Sequence, residues 1–226
     1  ENGANSSFVN QLLDQDVPVA EIVRDPISVT ESLTSWPHPR IPLPPQLFGT
    51  ERKNSQGWNP NYPLMGAELE QGMRAFVAQQ WVAAPLLQGV LKVGLSHAVL
   101  NLANPNDRVG QVTEASASEV EQALTLTLAA ATHWSARPVA ERAAYLEAIA
   151  DTYEAHAFEL MALLSREAGK TRWDAILEVR EAVDFLRYYA TQARTTLAAN
   201  AEGRGVFVCI SPWNFPLAIF TGQIAA

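Results

Sequence analysis

The residues best suited to chemistry lie near the end of the chain, in Ser211-Pro212-Trp213-Asn214-Phe215-Pro216. Asn214 carries a carboxamide, a neutral donor with two protons to offer. Pro212 and Pro216 bracket it and stiffen the backbone on either side. A neutral N–H held still is what a reaction needs where negative charge grows on a carbonyl oxygen. Removing one such donor typically costs about 2.7–4 kcal/mol of barrier. The other role open to Asn214 is structural: asparagine is among the preferred N-cap residues, and a helix-like stretch follows.

The remaining candidates offer less. Cys209 is the single thiol and stands inside an apolar run, so it reads as an inert, buried structural cysteine. Gly169-Lys170-Thr171 has the ending of a phosphate loop, but that motif needs a Gly where Leu164 stands and a strand where a helix runs. His38, His97, His133 and His156 are scattered, with neither an i, i+4 pair nor a Cys partner, so they make no metal site. Asn5-Ser6-Ser7 is a glycosylation sequon, without meaning in the absence of a secretory signal. Glu178, Arg180, Glu181 and Arg187 read as the solvated face of a helix.

The elements that must hold the corner follow from pattern. Gly205-Val206-Phe207-Val208-Cys209-Ile210 is a short continuous apolar run, which predicts a strand buried on both faces. Leu217 to Ala226 begins a helix, so strand, tight loop and helix make the opening half of a βαβ unit. In open α/β sheets ligands bind beyond the carboxyl ends of strands, and the 211–216 corner occupies that position. Upstream, residues 114–201 are strongly helical. Ser116 or Ser118 caps the first helix, Ser118 with Glu121 fitting a capping box, and it runs to about His133. Val139, Ala143, Leu146, Ala150, Tyr153, Ala157, Leu160 and Leu164 form one apolar stripe that Gly169 ends. Ile176, Val179, Val183, Leu186, Ala190, Ala193 and Leu197 form another.

The first part of the chain is different. Phe8, Val9, Leu12 and Leu13 suit a short helix, and Asp25-Pro26 opens a second, with Asp25 as cap and Pro26 at the first helical position. Residues 36–63 hold seven of the 14 prolines and read as an extended connector. Its interleaved Trp36, Ile41, Leu43, Leu47, Phe48 and Trp58 imply that it lies against a folded surface. A helix is expected around Gly66 to Val82, a turn at Asn104-Pro105-Asn106-Asp107, and a short strand at Val109-Gly110-Gln111-Val112.

Composition sets outer limits. The 226 residues carry 16 Lys and Arg against 24 Asp and Glu, a formal charge of −8. That balance argues against a nucleic-acid surface, which needs clustered basic residues. A single Cys excludes an internal disulfide framework. No apolar run reaches the length of a membrane-spanning helix, and a reducing, cytoplasmic setting is the simplest expectation. Both ends look cut: there is no initial Met, and the last helix has no stop signal. The chain is therefore expected to be an interior piece of a longer protein.

Val208-Cys209-Ile210-Ser211-Pro212-Trp213-Asn214-Phe215-Pro216-Leu217 resembles the Pro-Trp-Asn-Phe-Pro segment of the aldehyde dehydrogenase superfamily. Ala140-Glu141-Arg142-Ala143-Ala144 and Arg166-Glu167-Ala168-Gly169-Lys170-Thr171 resemble its early helices. The stretch from Glu178 to Ala190 is similar to the glutamate-semialdehyde (pyrroline-5-carboxylate) dehydrogenase branch. Residues Glu1 to Asn10 resemble the end of a proline dehydrogenase barrel, and Leu33 to Gly49 the connector that follows it. That order is the order of the bifunctional enzymes of proline catabolism.

The resemblance implies an α/β chain in three parts. Residues 1–35 would be the C-terminal end of a (βα)8 proline dehydrogenase barrel, 36–63 the Pro-rich connector, and 64–226 the mostly helical N-terminal part of a Rossmann-like NAD-binding domain. It implies FAD for the oxidation of L-proline to pyrroline-5-carboxylate, and NAD for the oxidation of glutamate semialdehyde to L-glutamate. Asn214 would donate to the oxyanion; Ile210, Ser211, Pro212 and Trp213 would line the NAD site; Glu1 would face the flavin. The catalytic Cys, the general-base Glu and the glycine-containing NAD loop would lie beyond Ala226, so the chain alone should be inactive. A homo-oligomer is expected, as is peripheral association of the parent protein with the inner membrane face. Two other readings stay open: a different aldehyde dehydrogenase with an unrelated N-terminal extension, and a helical scaffold without chemistry.

Overall fold

A computed structural model describes residues 8–35, 38, 40–91, 94–197 and 201–226. The chain divides into two units, residues 1–43 and 44–226. The first holds three short helices: α1 (Phe8–Leu13), α2 (Val19–Ile22) and α3 (Pro26–Glu31). Asp25 caps α3 as expected, its carboxylate accepting from the Ile27 and Ser28 N–H groups with Pro26 at the first helical position. Among the described residues of this unit there is no strand.

The second unit is built on long helices. The N-terminal ones are α4 (Pro63–Arg74) and α5 (Ala117–Ser135), followed by α6 (Val139–Ala155), α7 (Ala157–Glu167), α8 (Arg172–Thr195) and α9 (Ala218–Ala225). Five strands lie between α4 and α5: β1 (Trp81–Ala83), β2 (Leu86–Leu87), β3 (Val90–Leu91), β4 (Ser96–Asn101) and β5 (Asn104–Thr113). β5 is central, parallel to β1 and antiparallel to β4, while β2 and β3 form a separate hairpin. Gln88 and Gly89 turn that hairpin with φ of 53° and 75°, as a two-residue I′-type turn requires. Gly110 faces Trp81 across the β1–β5 ladder, and a Cβ there would stand 2.0 Å from the Trp81 carbonyl oxygen.

α8 is the spine of the core. Ile176, Val179, Val183, Leu186 and Ala190 are buried, as their spacing predicts; Leu197 lies past the helix end and is exposed. One end of α8 packs with Trp58, Leu69, Met161 and Leu164, the other with Ala150 and Ala225. Each large side chain so buried contributes roughly 1.5–3 kcal/mol.

Four expectations are corrected. The stripe from Val139 to Leu164 is two helices broken at His156, whose φ and ψ of −104° and 19° leave the helical region. Both α6 and α7 face α8, so the apolar spacing continues through the break and conceals it. The helix expected to reach Val82 ends at Arg74, and Trp81-Val82 enter β1. The turn falls at Leu102-Ala103, where Asn101 Oδ1 accepts from the Ala103 N–H, and residues 104–107 already belong to β5. The capping box is Ser116 with Glu119: the hydroxyl accepts from the Glu119 N–H and the carboxylate from the Ser116 N–H.

Of the connector's apolar groups, Trp58 is buried, whereas Ile41, Leu43, Leu47 and Phe48 are exposed and Trp36 lies outside the described residues. Polar contacts hold residues 54–56 in place. Asp184 accepts from the Ser55 N–H at 2.9 Å and the Ser55 hydroxyl at 2.7 Å. Arg187 donates to the Asn54 carbonyl and to both oxygens of Glu154. Glu154 also accepts from the Gln56 N–H at 2.7 Å.

The outer face expected for α8 is likewise corrected. Glu181 is exposed, but Glu178 and Arg187 are 2% and 5% exposed. Both sit one helical turn from core residues. Glu178 is three after Ala175 and four before Ala182; Arg187 is four after Val183 and three before Ala190.

Candidate functional site

The corner that carries Asn214 leaves the segment 205–210 and enters α9. The apolar run does not form a strand: residues 201–212 have no regular structure, and Phe207, Val208 and Ile210 are 72–80% exposed. A strand buried on both faces needs a ladder on each side, and none pairs with this run among the described residues. Val206, Phe207 and Val208 instead lie beside Val120, Ala123 and Leu124 of α5 along an open apolar groove. Cys209 is half-buried rather than enclosed, its Sγ donating to the Gln223 carbonyl at 3.6 Å. Gln223 Nε2 donates in return to the Ile210 carbonyl at 3.2 Å, so α9 is tied back to the segment that precedes the corner.

Within the corner, the Phe215 N–H donates to the Pro212 carbonyl at 3.2 Å. Asn214 is exposed, and its carboxamide makes no hydrogen bond to another described residue. It does not cap α9. That helix begins after Leu217, an apolar N-cap that can satisfy none of the free N–H groups. Glu178 of α8 supplies the acceptor instead: its Oε1 takes the Leu217 N–H at 3.2 Å and the Ala218 N–H at 3.0 Å. Lys170, from the Gly169-Lys170-Thr171 turn, places Nζ 3.2 Å from Glu178 Oε2 and 4.3 Å from the Phe215 ring centroid. Gly169 makes that turn possible with φ of 65°, and Thr171 caps α8 by accepting from the Asp174 N–H.

α9 itself packs closely on α8. Ala218, Thr221, Gly222 and Ala225 are buried, and a Cβ on Gly222 would stand 3.0 Å from the Phe185 ring. Ile210 and Trp213 are about 80% exposed, so the corner presents apolar surface with Asn214 between it and Phe215. Ser211 is half-buried. Glu1, the flavin-facing candidate, lies outside the described residues. Among the described residues no group of three or more metal-ligating side chains is assembled, and no helix is long and apolar enough to cross a membrane.

The corner is legible in the sequence and its supports are not: Lys170 stands in a turn with the ending of a phosphate loop, and Glu178 in a run of charges. The available signal was the placement of Glu178 on the buried stripe of α8, where an acid needs partners.

The helices and short strands make this a chain of mixed α/β build. Residues 95–226 match the aldehyde dehydrogenase family, and the chain belongs to it. Along its whole length it is similar to the bifunctional protein PutA: 48% identical over 233 residues to that of Escherichia coli (strain K12), and 44% over 228 to that of Rhizobium meliloti. It spans 18% of the length of each of these relatives. The solved structure of proline utilization A from Bdellovibrio bacteriovorus superposes with a TM-score of 0.76 at 26% identity, over all of this chain and 24% of that one.

Proposed function

We propose that this chain is part of a bifunctional enzyme of proline catabolism. One activity oxidises L-proline to pyrroline-5-carboxylate with FAD; the other oxidises glutamate semialdehyde, its hydrolysed form, to L-glutamate with NAD. The observation that carries this reading is the corner itself: an exposed carboxamide at Asn214, free of protein partners among the described residues, on a backbone anchored at both sides. The similarity to PutA along the whole chain supports the same reading.

In the aldehyde reaction Asn214 donates an N–H to the carbonyl oxygen as a thiolate adds to the carbon. The developing negative charge then meets a donor that needs no reorientation. Ile210, Ser211, Pro212 and Trp213 wall the dinucleotide site. Their character fits it, because two exposed apolar faces flank a hydroxyl and a rigid proline. NAD held there by these residues would supply the hydride acceptor. Cys209 is not the nucleophile: its sulfur is spent on the Gln223 carbonyl, and it is the only thiol of the chain. The thiolate and the general base come from other parts of the enzyme, so the isolated chain has no dehydrogenase activity.

The open apolar face shared by α5 and residues 206–208 is the surface that the remainder of the NAD-binding domain covers, and there residues 206–210 take up the strand their sequence calls for. Glu1 as a flavin contact, assembly into homo-oligomers and peripheral membrane association at the cytoplasmic face complete the reading. Nucleic acid has no place in it for this segment.

The test is NADH formation. The complete gene product should reduce NAD when given glutamate semialdehyde, and should reduce a dye acceptor when given L-proline. The isolated 226-residue chain should do neither. NADH production by the isolated chain, or none by the complete product, would overturn the proposal.

A further inference from the structure

We propose that Glu178 and Lys170 are positioning residues that aim Asn214. This rests on the reading above, in which Asn214 donates to the oxyanion. Asn214 makes no side-chain hydrogen bond among the described residues, so the direction of its carboxamide is set by the backbone from Pro212 to Ala218. Among the described residues the downstream side of that backbone has one side-chain acceptor, Glu178 Oε1, which takes both the Leu217 and the Ala218 N–H. The carboxylate is 2% exposed and is held in turn by Lys170, 14% exposed, through its second oxygen. Lys170 reaches forward over the ring of Phe215, the residue next to Asn214. One buried ion pair therefore grips the corner at Phe215 and at residues 217 and 218.

A charge pair in this place has a cost that an apolar pair would not have, and buried ion pairs are weak evidence for stability. What it supplies is direction. Two N–H groups converge on one oxygen, and a cation fixes the other, so the corner has little freedom to slide along α8. A shift of about 1 Å in a group that meets the reacting atoms can cost about 100-fold in rate.

Glu178→Asp separates this role from general folding. It keeps the charge and the pairing with Lys170 but draws the acceptor back by one methylene. Glu178→Gln keeps an oxygen at full reach for the Leu217 and Ala218 N–H groups but turns toward Lys170 an NH2 that cannot accept. In the complete gene product, with glutamate semialdehyde and NAD, E178D should lower kcat about 10- to 100-fold and E178Q, which loses only the hold of Lys170, about 3- to 10-fold. On an Asn214→Ala background E178D should add less than about 3-fold, because Glu178 acts through Asn214. Phe215→Leu, an exposed change at the corner, withdraws the ring beneath Lys170 and should lower kcat by about 3- to 10-fold with KM for NAD unchanged; it serves if E178D fails to fold.

E178D at parental kcat, or full multiplication of the two losses in the double variant, would overturn the positioning role. So would F215L at parental kcat. If N214A alone keeps parental kcat, the oxyanion reading fails and this proposal falls with it. If N214A loses activity while E178D and F215L do not, only the positioning proposal fails.

Discussion

Replacing Arg187 with Met should be strongly destabilising. Arg187 is 5% exposed and donates to Glu154, Asp151 and the Asn54 carbonyl. Burial pushes the Glu154 carboxyl up, but the Arg187 fork, the Gln56 N–H and Lys53 outweigh it and hold it at about 2, against an ordinary 4.5. A carboxyl depressed on folding contributes stability that is present above its unfolded value and lost as pH falls toward its folded one. Here that window runs from 4.5 down to about 2. Arg187→Met leaves Glu154 buried with weaker partners, so at pH 7 the loss should be about 3 kcal/mol. As Glu154 protonates, that loss should shrink, to about 1 kcal/mol near pH 2.5. Denaturant unfolding at both pH values measures it, and amide exchange at Asn54 to Gln56 should quicken in parallel. A control is Arg194→Met, which removes a surface pair with Glu147 and should cost less than about 1 kcal/mol. A loss below about 1 kcal/mol for R187M at pH 7, or one of equal size at pH 2.5, would refute the reasoning.

Gly110→Ala would drive a methyl group to 2.0 Å from the Trp81 carbonyl oxygen; the obstacle is backbone, so β1 must part from β5, with about 3 kcal/mol or more lost in thermal unfolding. Ser116→Ala removes one half of the capping box and should cost about 1 kcal/mol, read by unfolding and by faster exchange in the first turn of α5.

Much of the helical layer was legible because its signals are local. Asp25-Pro26, Gly169 and the stripe of α8 each act within one or two turns, and each appears where the pattern places it. The break at His156 was not, since two helices facing the same neighbour keep one apolar rhythm. Nor was the state of residues 205–210. Their composition asks for a doubly covered strand, but a strand exists only through its neighbours, and no ladder partner for this run stands among the described residues. The corner at Asn214 was visible from its prolines. Its supports were not, because a buried acid in a helix looks like any other charge until its partners from residues 170 and 217–218 are known.

The most direct test of the account is the kinetic effect of Asn214→Ala in the complete gene product, with glutamate semialdehyde as substrate. Loss of a preorganised oxyanion donor predicts a fall in kcat of about 100- to 1000-fold, with KM for NAD changed by less than about 2-fold. A variant that keeps kcat within a few-fold of the parent would contradict the role assigned to Asn214.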